Sequence, residues 1–362
     1  MAHVIVVGAG GNIGSHLVPH LGRSPLVSRV TLIDRDRYEP RNVRAQAIDL
    51  GDAGKPKALV QARRLRKINP RLEVTALHRA VEDVPLGRLR GAAILGCLDS
   101  RHARLSLNQA SWRLGVPWIN AGVDGDSLLA RVQTFVPTSD APCLECAWDQ
   151  ADYAAVEQDY PCHAHSGPTP SGSPSSLGAL AAALQAIELD KLLSDDRDHA
   201  LIGRDLLLDA RHHRHFVTSF HRNAACRMPD HAGWQIHPFA GTATGTTLGE
   251  LFALGSILRG ANEQLSLQVA GQRLVIGLTC LGCGAAEPAL ALERVIRDKV
   301  VTCPRCQGRL QPVGFDLADT APLSESDPEL DWPLARVGIR AFDVISLVTP
   351  SIDAHYQIGG MP

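Results

Sequence analysis

No stretch of this sequence comes near the roughly 18 consecutive apolar residues of a membrane-spanning helix, so no such helix is expected and a membrane is not a partner. Neither sign of charge dominates. Lysine and arginine total 36 against 38 aspartates and glutamates, a formal net charge of −2. The broad basic field that draws in nucleic acid or an anionic surface is missing, which argues against both as ligands. The opening residues, MAHVIVVGAGG, run directly into a strand pattern without the charged leader and apolar segment of a secretory signal. A cytoplasmic protein is the expectation. No long internal repeat is present.

What is present is ordinary globular material. Apolar residues make up 45% of the 362, enough for one large domain and a smaller one, each with its own core. Within residues 3–137, short apolar runs alternate with helical segments. Strands are expected at His3–Gly8, Arg29–Asp34, Leu72–Leu77, Ala92–Asp99, Val116–Ala121 and Ala130–Val136. Helices are expected at Gly14–Gly22, Lys57–Ile68 and Arg101–Gly115. This alternation implies an α/β fold of βαβ units: a mostly parallel sheet with helices on both faces.

Residues 150–176 break the rhythm, and HAHSGPTPSGSPSS within them reads as a mobile loop. An alanine-rich helix over Gly178–Leu193 follows, suited to packing on the sheet or a partner. Two strands are expected within 201–220. From about Thr247 the pattern changes: TLGELFALG is helical, and LSLQVAGQRLVIGLTC looks like a hairpin. The acidic stretch 316–333 reads as a linker or irregular cover, and FDVISLV with HYQIG form a closing pair of strands. The expected division is a domain over 1–240, with a crossover loop at about 147–177, and a C-terminal module over 241–362.

The first strand leads into Gly8-Ala9-Gly10-Gly11-Asn12-Ile13-Gly14, after which SHLVPHL starts a helix. Glycines in a strand–turn–helix context let a phosphate approach backbone N–H groups and the positive end of the helix. Asp34, about 20 residues further on at the end of the second strand, is placed to bind ribose hydroxyls. This much fits NAD, FAD or ATP, and alone it points first to a dehydrogenase.

Downstream come LIDRDRYEPRNVRAQ, AGKPKA, GCLDSRHARLSLNQA and PCLECAW. In order and spacing, these and the glycine turn resemble the motifs of the ThiF/MoeB and ubiquitin-activating family, over roughly residues 3–231. The resemblance implies a Rossmann-like fold that binds ATP and Mg2+ and adenylates the C-terminal glycine of a ubiquitin-like protein, releasing pyrophosphate. Position by position, it implies that Gly8, Gly10, Gly11 and Gly14 line the nucleotide turn and that Asp34, with Asp36 nearby, holds the nucleoside. It implies phosphate contacts for Asn42 and Lys57, and a role for Asp99 in Mg2+ binding and adenylation. Attack by a carboxylate on a phosphate brings anions together, so positioning and neutralisation by cations carry most of the catalysis.

The family pattern Asn-x-x-Arg-Gln would put arginine at position 45, where this chain has Ala45; Arg44 is the neighbouring candidate. The N-terminal helix that often supplies an arginine in relatives has no counterpart before the strand at His3. Without the resemblance, Lys57 and Arg44 read as solvated charges, and Asp99 as a cap for the helix opening SRHAR.

Nine cysteines include three CxxC pairs, a spacing that in a cytosolic setting favours metal or redox use over disulfides; zinc is the better reading, since a thioredoxin-type CxxC needs a strand–helix context missing here. Cys280, Cys283, Cys303 and Cys306 form two pairs with nineteen residues between them, a zinc-ribbon signal in its own right. So small a module builds little core, and bound zinc would supply folding energy. Cys143 and Cys146 form a further pair. The resemblance implies that they share a second zinc with residues following an Arg-Asn motif, here Cys226; His231 is inferred as the fourth ligand. Cys97 reads as core. The resemblance also assigns to Cys162 a thioester or persulfide with the activated C-terminus, and His163 and His165 stand where they can lower its pKa. On the residues alone, an incidental exposed thiol or a further zinc ligand stays open.

The favoured expectation is an ATP-dependent adenylyltransferase with two structural Zn2+ ions, acting on a ubiquitin-like protein and passing it through Cys162 to a conjugating enzyme. Activation of a sulfur-carrier protein, as in thiamine or molybdopterin synthesis, competes with it. An NAD-dependent oxidoreductase and a non-catalytic nucleotide-binding scaffold are the readings from other classes. Relatives suggest a homodimer.

Overall fold

The computed structural model describes residues 1–158, 172–228, 231, 233–258, 260, 263–297 and 299–359. The chain divides into two compact units. One comprises Met1–Val81 and Leu89–Gly233; the other comprises Glu82–Arg88 and Trp234–Pro362.

In the first unit, strands β1 (Ala2–Val7), β2 (Val27–Ile33), β3 (Glu73–Leu77), β4 (Ala93–Gly96), β5 (Trp118–Asp124), β6 (Leu129–Phe135), β7 (Arg204–Asp209) and β8 (Arg214–Ser219) form one sheet. Their spatial order is β3-β2-β1-β4-β5-β6-β7-β8. The first five run parallel, and β6, β7 and β8 are added antiparallel. The strands alternate with helices α1 (Asn12–Leu21), α2 (Lys57–Ile68), α3 (Arg101–Leu114), α4 (Gln150–Gln158) and α5 (Ser175–Leu193). The mostly parallel α/β sheet expected from the alternation is therefore what forms.

Four consecutive residues of β1, Val4–Val7, are buried, as befits a central parallel strand covered on both faces. On one face Leu17 and Val18 of α1 pack with Ala181, Ala182 and Leu189 of α5 over Val4, Val6, Leu95 and Ile119. On the other, Trp112 of α3 meets Phe135 edge-on at 6.4 Å, and Phe135 stacks on Trp118 at 5.0 Å. Gln185 of α5 donates to the carbonyls of Gly96 and Ile119, linking β4 to β5 through a buried side chain.

Two expectations for this unit need correction. The segment from residue 150 opens with the helix α4 rather than with loop, because its Pro/Gly/Ser-rich composition begins only after residue 158. Asp149 accepts the N–H groups of Ala151 and Asp152 while Asp152 accepts that of Asp149, a reciprocal cap that starts the helix. The strand expected at Ala92–Asp99 is only Ala93–Gly96, since the chain turns at Cys97 beneath the glycine loop.

The second unit holds β9 (Ile236–Phe239), α6 (Leu248–Leu258), β10 (Leu265–Val269), β11 (Leu274–Cys280), β12 (Ala286–Leu292), α7 (Glu293–Ile296), β13 (Val301–Thr302), β14 (Arg309–Gln311), β15 (Leu317–Ala318), β16 (Thr320–Leu323), α8 (Leu334–Val337), β17 (Val344–Val348) and β18 (Asp353–Ile358). One sheet runs β16-β10-β17-β18-β9, with β9 and β18 parallel. Leu248, Leu251 and Phe252 of α6 share its core with Leu265, Leu267, Ile345 and Leu347. The other sheet, β12-β11-β14-β13 with β15 against β11, carries the paired cysteines at Cys280–Cys306.

The apparent hairpin of β10 and β11 does not form. Their alternating patterns face different cores, so β10 pairs with β16 and β17 while β11 pairs with β12, β14 and β15. Nor is 316–333 irregular throughout, because β16 lies within it and completes the first sheet of this unit. Segment 82–88 belongs to this unit through local bonds: Gly87 donates to the Phe342 carbonyl at 2.9 Å, and Arg88 lies 3.9 Å from the Phe342 ring centre.

Arg294 and Asp343 form a buried ion pair here, with the Arg340 N–H also donating to Asp343 at 2.7 Å. Removing one partner of such a pair strands the other charge in a dry interior. Asp343→Asn is therefore expected to destabilise the second unit by about 3 kcal/mol, measured by chemical denaturation of the full chain.

Candidate functional site

The turn after β1 is shaped by two close approaches. Gly8 has φ +80°, and a Cβ there would lie 2.3 Å from the Cys97 carbonyl oxygen at the end of β4. A Cβ on Gly10 would lie 2.3 Å from Cβ of Lys57. Gly11 occupies the N-cap position of α1, which has no side-chain cap, so the helix presents its first N–H groups unblocked by any side chain. Gly14 follows in the first turn, packed on the Gly8 carbonyl.

Asp34 closes this turn from β2. Its carboxylate accepts the N–H of Gly10 at 2.8 Å and that of Asp36 at 2.9 Å. Burial pushes the Asp34 pKa above the usual carboxylate value, against the pull of those two N–H groups and of Lys57. Lys57, the first residue of α2, is 7% exposed, and its ammonium sits 3.1 Å from Asp36 and 5.7 Å from the Tyr38 ring centre. Burial also raises the Tyr38 phenol pKa, and its oxygen accepts from Gln61 at 2.7 Å. Gly10, Asp34, Asp36 and Lys57 thus form one contiguous set of contacts.

Asn42 and Arg44 lie on the short helical turn Pro40–Arg44 that follows Tyr38. The Asn42 side-chain oxygen accepts the Glu39 N–H at 2.8 Å, shaping that turn, and Arg44 is exposed. Asp99 is exposed beyond the end of β4. The cap of α3 is not Asp99 but Ser100, whose hydroxyl accepts the Ala103 N–H. No hydrogen bond or ion pair ties Asn42, Arg44 or Asp99 to Lys57 among the described residues. Cys162, His163 and His165 lie outside the described residues.

Arg104, in the first turn of α3, was passed over in the sequence. It donates twice to the Leu98 carbonyl, at 2.6 and 3.3 Å, and its guanidinium fills the space a Cβ on Gly122 would need. Its place on the Asp99 side of α3, five positions after Asp99, was the available signal.

Two groups of side chains have the chemistry of metal ligands. Cys143, Cys146, Cys226 and His231 converge in the first unit, and Cys280, Cys283, Cys303 and Cys306 in the second, each set of ligand atoms lying within 4.8 Å. His231 Nε2 is 3.4 Å from the thiols of Cys143 and Cys226 and 3.7 Å from that of Cys146. In the other set, Cys280 and Cys306 are 3.4 Å apart and Cys283 and Cys303 3.7 Å. A tetrahedral ion with Zn–S near 2.3 Å sets its ligand atoms about 3.5 to 3.8 Å apart. Both donor sets fit zinc.

The family model described as the ThiF family matches residues 1–228, well over half of the chain. The chain belongs to the ThiF family. Among similar proteins of this family group, ubiquitin-like modifier-activating enzyme 5 of Dictyostelium discoideum is 26% identical over 220 residues, covering 57% of this chain and 56% of the relative. The NEDD8-activating enzyme E1 catalytic subunit of Saccharomyces cerevisiae is 30% identical over 156 residues, 40% of this chain and 51% of that protein. The sulfur carrier protein ThiS adenylyltransferase of Escherichia coli is 27% identical over 196 residues, 53% of this chain and 72% of that protein. The chain thus spans about half the length of the ubiquitin-like modifier-activating relatives it matches. In fold it resembles Escherichia coli MccB with ATP at TM-score 0.52 and 23% identity, over 63% of this chain and 65% of that one.

The ThiF-family turn tolerates no side chain at Gly8. Gly8→Ala combines positive φ with a collision against backbone and is expected to cost about 3 kcal/mol of stability, read from the denaturation midpoint of the first unit.

Proposed function

We propose that this chain adenylates the C-terminal glycine of a ubiquitin-like protein with ATP and then receives the acyl group on Cys162. The observation that carries the proposal is the Lys57 ammonium, kept almost dry against Gly10 and paired with Asp36. A buried cation beside a glycine turn and a bare helix N-terminus is what a polyphosphate requires.

In this reading Gly8, Gly10, Gly11 and Gly14 let the phosphates approach the backbone, and Asp34 accepts from the ribose hydroxyls. Lys57, Asn42 and Arg44 meet the polyphosphate, with Asp36 releasing Lys57 to it. Mg2+ held at Asp99 would offset the charge on the leaving phosphates, with Arg104, whose guanidinium is bonded to the carbonyl of the preceding Leu98, as a further cation. A carboxylate oxygen of the substrate attacks the α-phosphorus, the α–β anhydride bond breaks, and pyrophosphate leaves. The Cys162 thiol first gives its proton to solvent; the thiolate then attacks the acyl carbon, and AMP departs with the bonding electrons. The product passes to a conjugating enzyme. Zinc at the two cysteine-containing clusters is structural, and a homodimer in the cytoplasm is the working form.

The match to the ThiS adenylyltransferase over 72% of its length favours a second reading, a sulfur-carrier protein as substrate. The first half-reaction is common to both. A persulfide on Cys162 gains one sulfur in intact mass, whereas a thioester gains the whole substrate protein and is cleaved by hydroxylamine.

Asp99→Ala is expected to reduce ATP–pyrophosphate exchange by about a thousandfold or more. Cys162→Ala should preserve exchange and remove the covalent adduct; loss of exchange in a folded Cys162→Ala chain would contradict the division into two steps. Metal analysis of the purified chain should give two zinc ions, one of which is lost in Cys303→Ser, with the melting transition of the second unit lowered.

A further inference from the structure

Residues 36–38 run alongside 54–57, bridged antiparallel at Arg37 and Pro56. The Tyr38 N–H donates to the Lys55 carbonyl at 3.0 Å, the Gly54 N–H to the Tyr38 carbonyl at 2.8 Å, and the Lys57 N–H to the Asp36 carbonyl at 2.9 Å. Asp36 and Tyr38 stand two positions apart, and the Lys57 ammonium meets both: the carboxylate at 3.1 Å and the ring centre at 5.7 Å. The two partners differ in kind. The Asp36 side chain is 55% exposed, whereas Tyr38 is 1% exposed. The carboxylate therefore draws the ammonium toward water, and the negative face of the ring keeps it inside.

Tyr38 is itself firmly held. Its side chain packs with Ile48 and Val60. Its hydroxyl accepts from the Gln61 amide at 2.7 Å and would lie 2.7 Å from a Cβ on Gly10. Gln61 is fully buried, and its side-chain oxygen has no donor among the described residues. A half-satisfied buried amide costs stability that an apolar side chain at the same place would not. Gln61 thus gives up stability to fix one hydroxyl beside the glycine turn.

We propose that Tyr38 is a positioning residue for Lys57: its ring keeps the ammonium dry against the glycine turn, in place to meet a polyphosphate. This rests on the reading of Lys57 given above. Without the ring, the ammonium follows Asp36 into water, and ATP must draw it back at a cost in affinity. AMP, which lacks the outer phosphates, does not depend on that return.

The test combines lysine labelling with calorimetry on the full chain. Acetic anhydride acetylates amines, and the rate at each lysine is read peptide by peptide in a mass spectrometer. In Tyr38→Leu, Lys57 is expected to react about fivefold faster than in wild type, while Lys67 on the same helix keeps its rate. Affinity for ATP·Mg2+ should fall about fivefold and that for AMP stay within about twofold. Lys57→Met keeps the stem and removes the charge, and adding Tyr38→Leu to it should cost no further ATP affinity. Tyr38→Phe keeps the ring and should stay near wild type in both readouts. Should Tyr38→Leu fail to fold, trifluorophenylalanine at position 38 preserves the shape of the ring and strips its face of negative charge. Relative to Tyr38→Phe it is expected to move both readouts in the same direction by about threefold. Unchanged Lys57 labelling in these variants, an equal loss for ATP and AMP, or a loss that persists in the Lys57→Met background would overturn the positioning role. A wild-type chain that binds no ATP·Mg2+, with Lys57 labelling still governed by Tyr38, would overturn the polyphosphate reading instead.

Discussion

The first unit depends on one close approach of backbone to backbone, the turn after β1 lying directly on the end of β4. Without a Cβ at Gly8, the carbonyl of Cys97 can sit under the turn, while the N–H groups of Gly8 and Ala9 are held by the Ile33 carbonyl and that of Gly11 by the Gly8 carbonyl. Without a Cβ at Gly10, Lys57 can press against the same turn while Asp34 accepts the Gly10 N–H. The result is a tight turn with one buried cation beside it, leading into the start of α1, which has no side-chain cap. Its position is fixed by the central strands, since β1 is hydrogen-bonded to β2 on one side and β4 on the other. Ligands of open α/β sheets bind beyond the carboxyl ends of such strands, where the sequence order reverses.

Near that turn the helix α3 joins two of the features described. Its leading end carries Ser100 as the cap, which leaves the neighbouring Asp99 to other duties. Arg104 sits one turn further on, and Asn108, one more turn on, reaches the knuckle between Cys143 and Cys146. A metal at that knuckle would therefore brace the same helix that presents Asp99. In the second unit the four-cysteine set closes a small sheet whose buried apolar residues are few, the setting in which a metal substitutes for core.

Much of this was legible in the residues. A strand, a glycine turn, a helix and an aspartate at the end of the next strand form a pattern with one physical solution, and the alternation of apolar runs with helices implied the mostly parallel sheet. Paired cysteines announce convergence because two ligands on a tight knuckle already share half a coordination sphere. Less was visible where tertiary contacts decide. The β10 and β11 patterns both alternate properly, yet nothing local says that they serve different sheets. The residues 82–88 carry no composition signal for leaving the first unit; bonds to Phe342, Arg340 and Gln272 place them in the second. Asp99 and Ser100 are both good N-cap residues, and only the geometry separates them. The charged Glu145 between Cys143 and Cys146 is itself a signal, since a buried carboxylate requires partners, here Asn108 and Tyr153.

The central claim is that a polyphosphate, rather than a dinucleotide, lies across the glycine turn against Lys57. Calorimetric titration of the wild-type chain and Lys57→Ala with ATP·Mg2+, AMP and NAD tests it most directly. The account predicts that the wild type binds ATP·Mg2+ in preference to NAD, and that Lys57→Ala loses about tenfold or more in affinity for ATP while AMP binding barely changes. Preferential binding of NAD, or an equal loss for ATP and AMP, would contradict it.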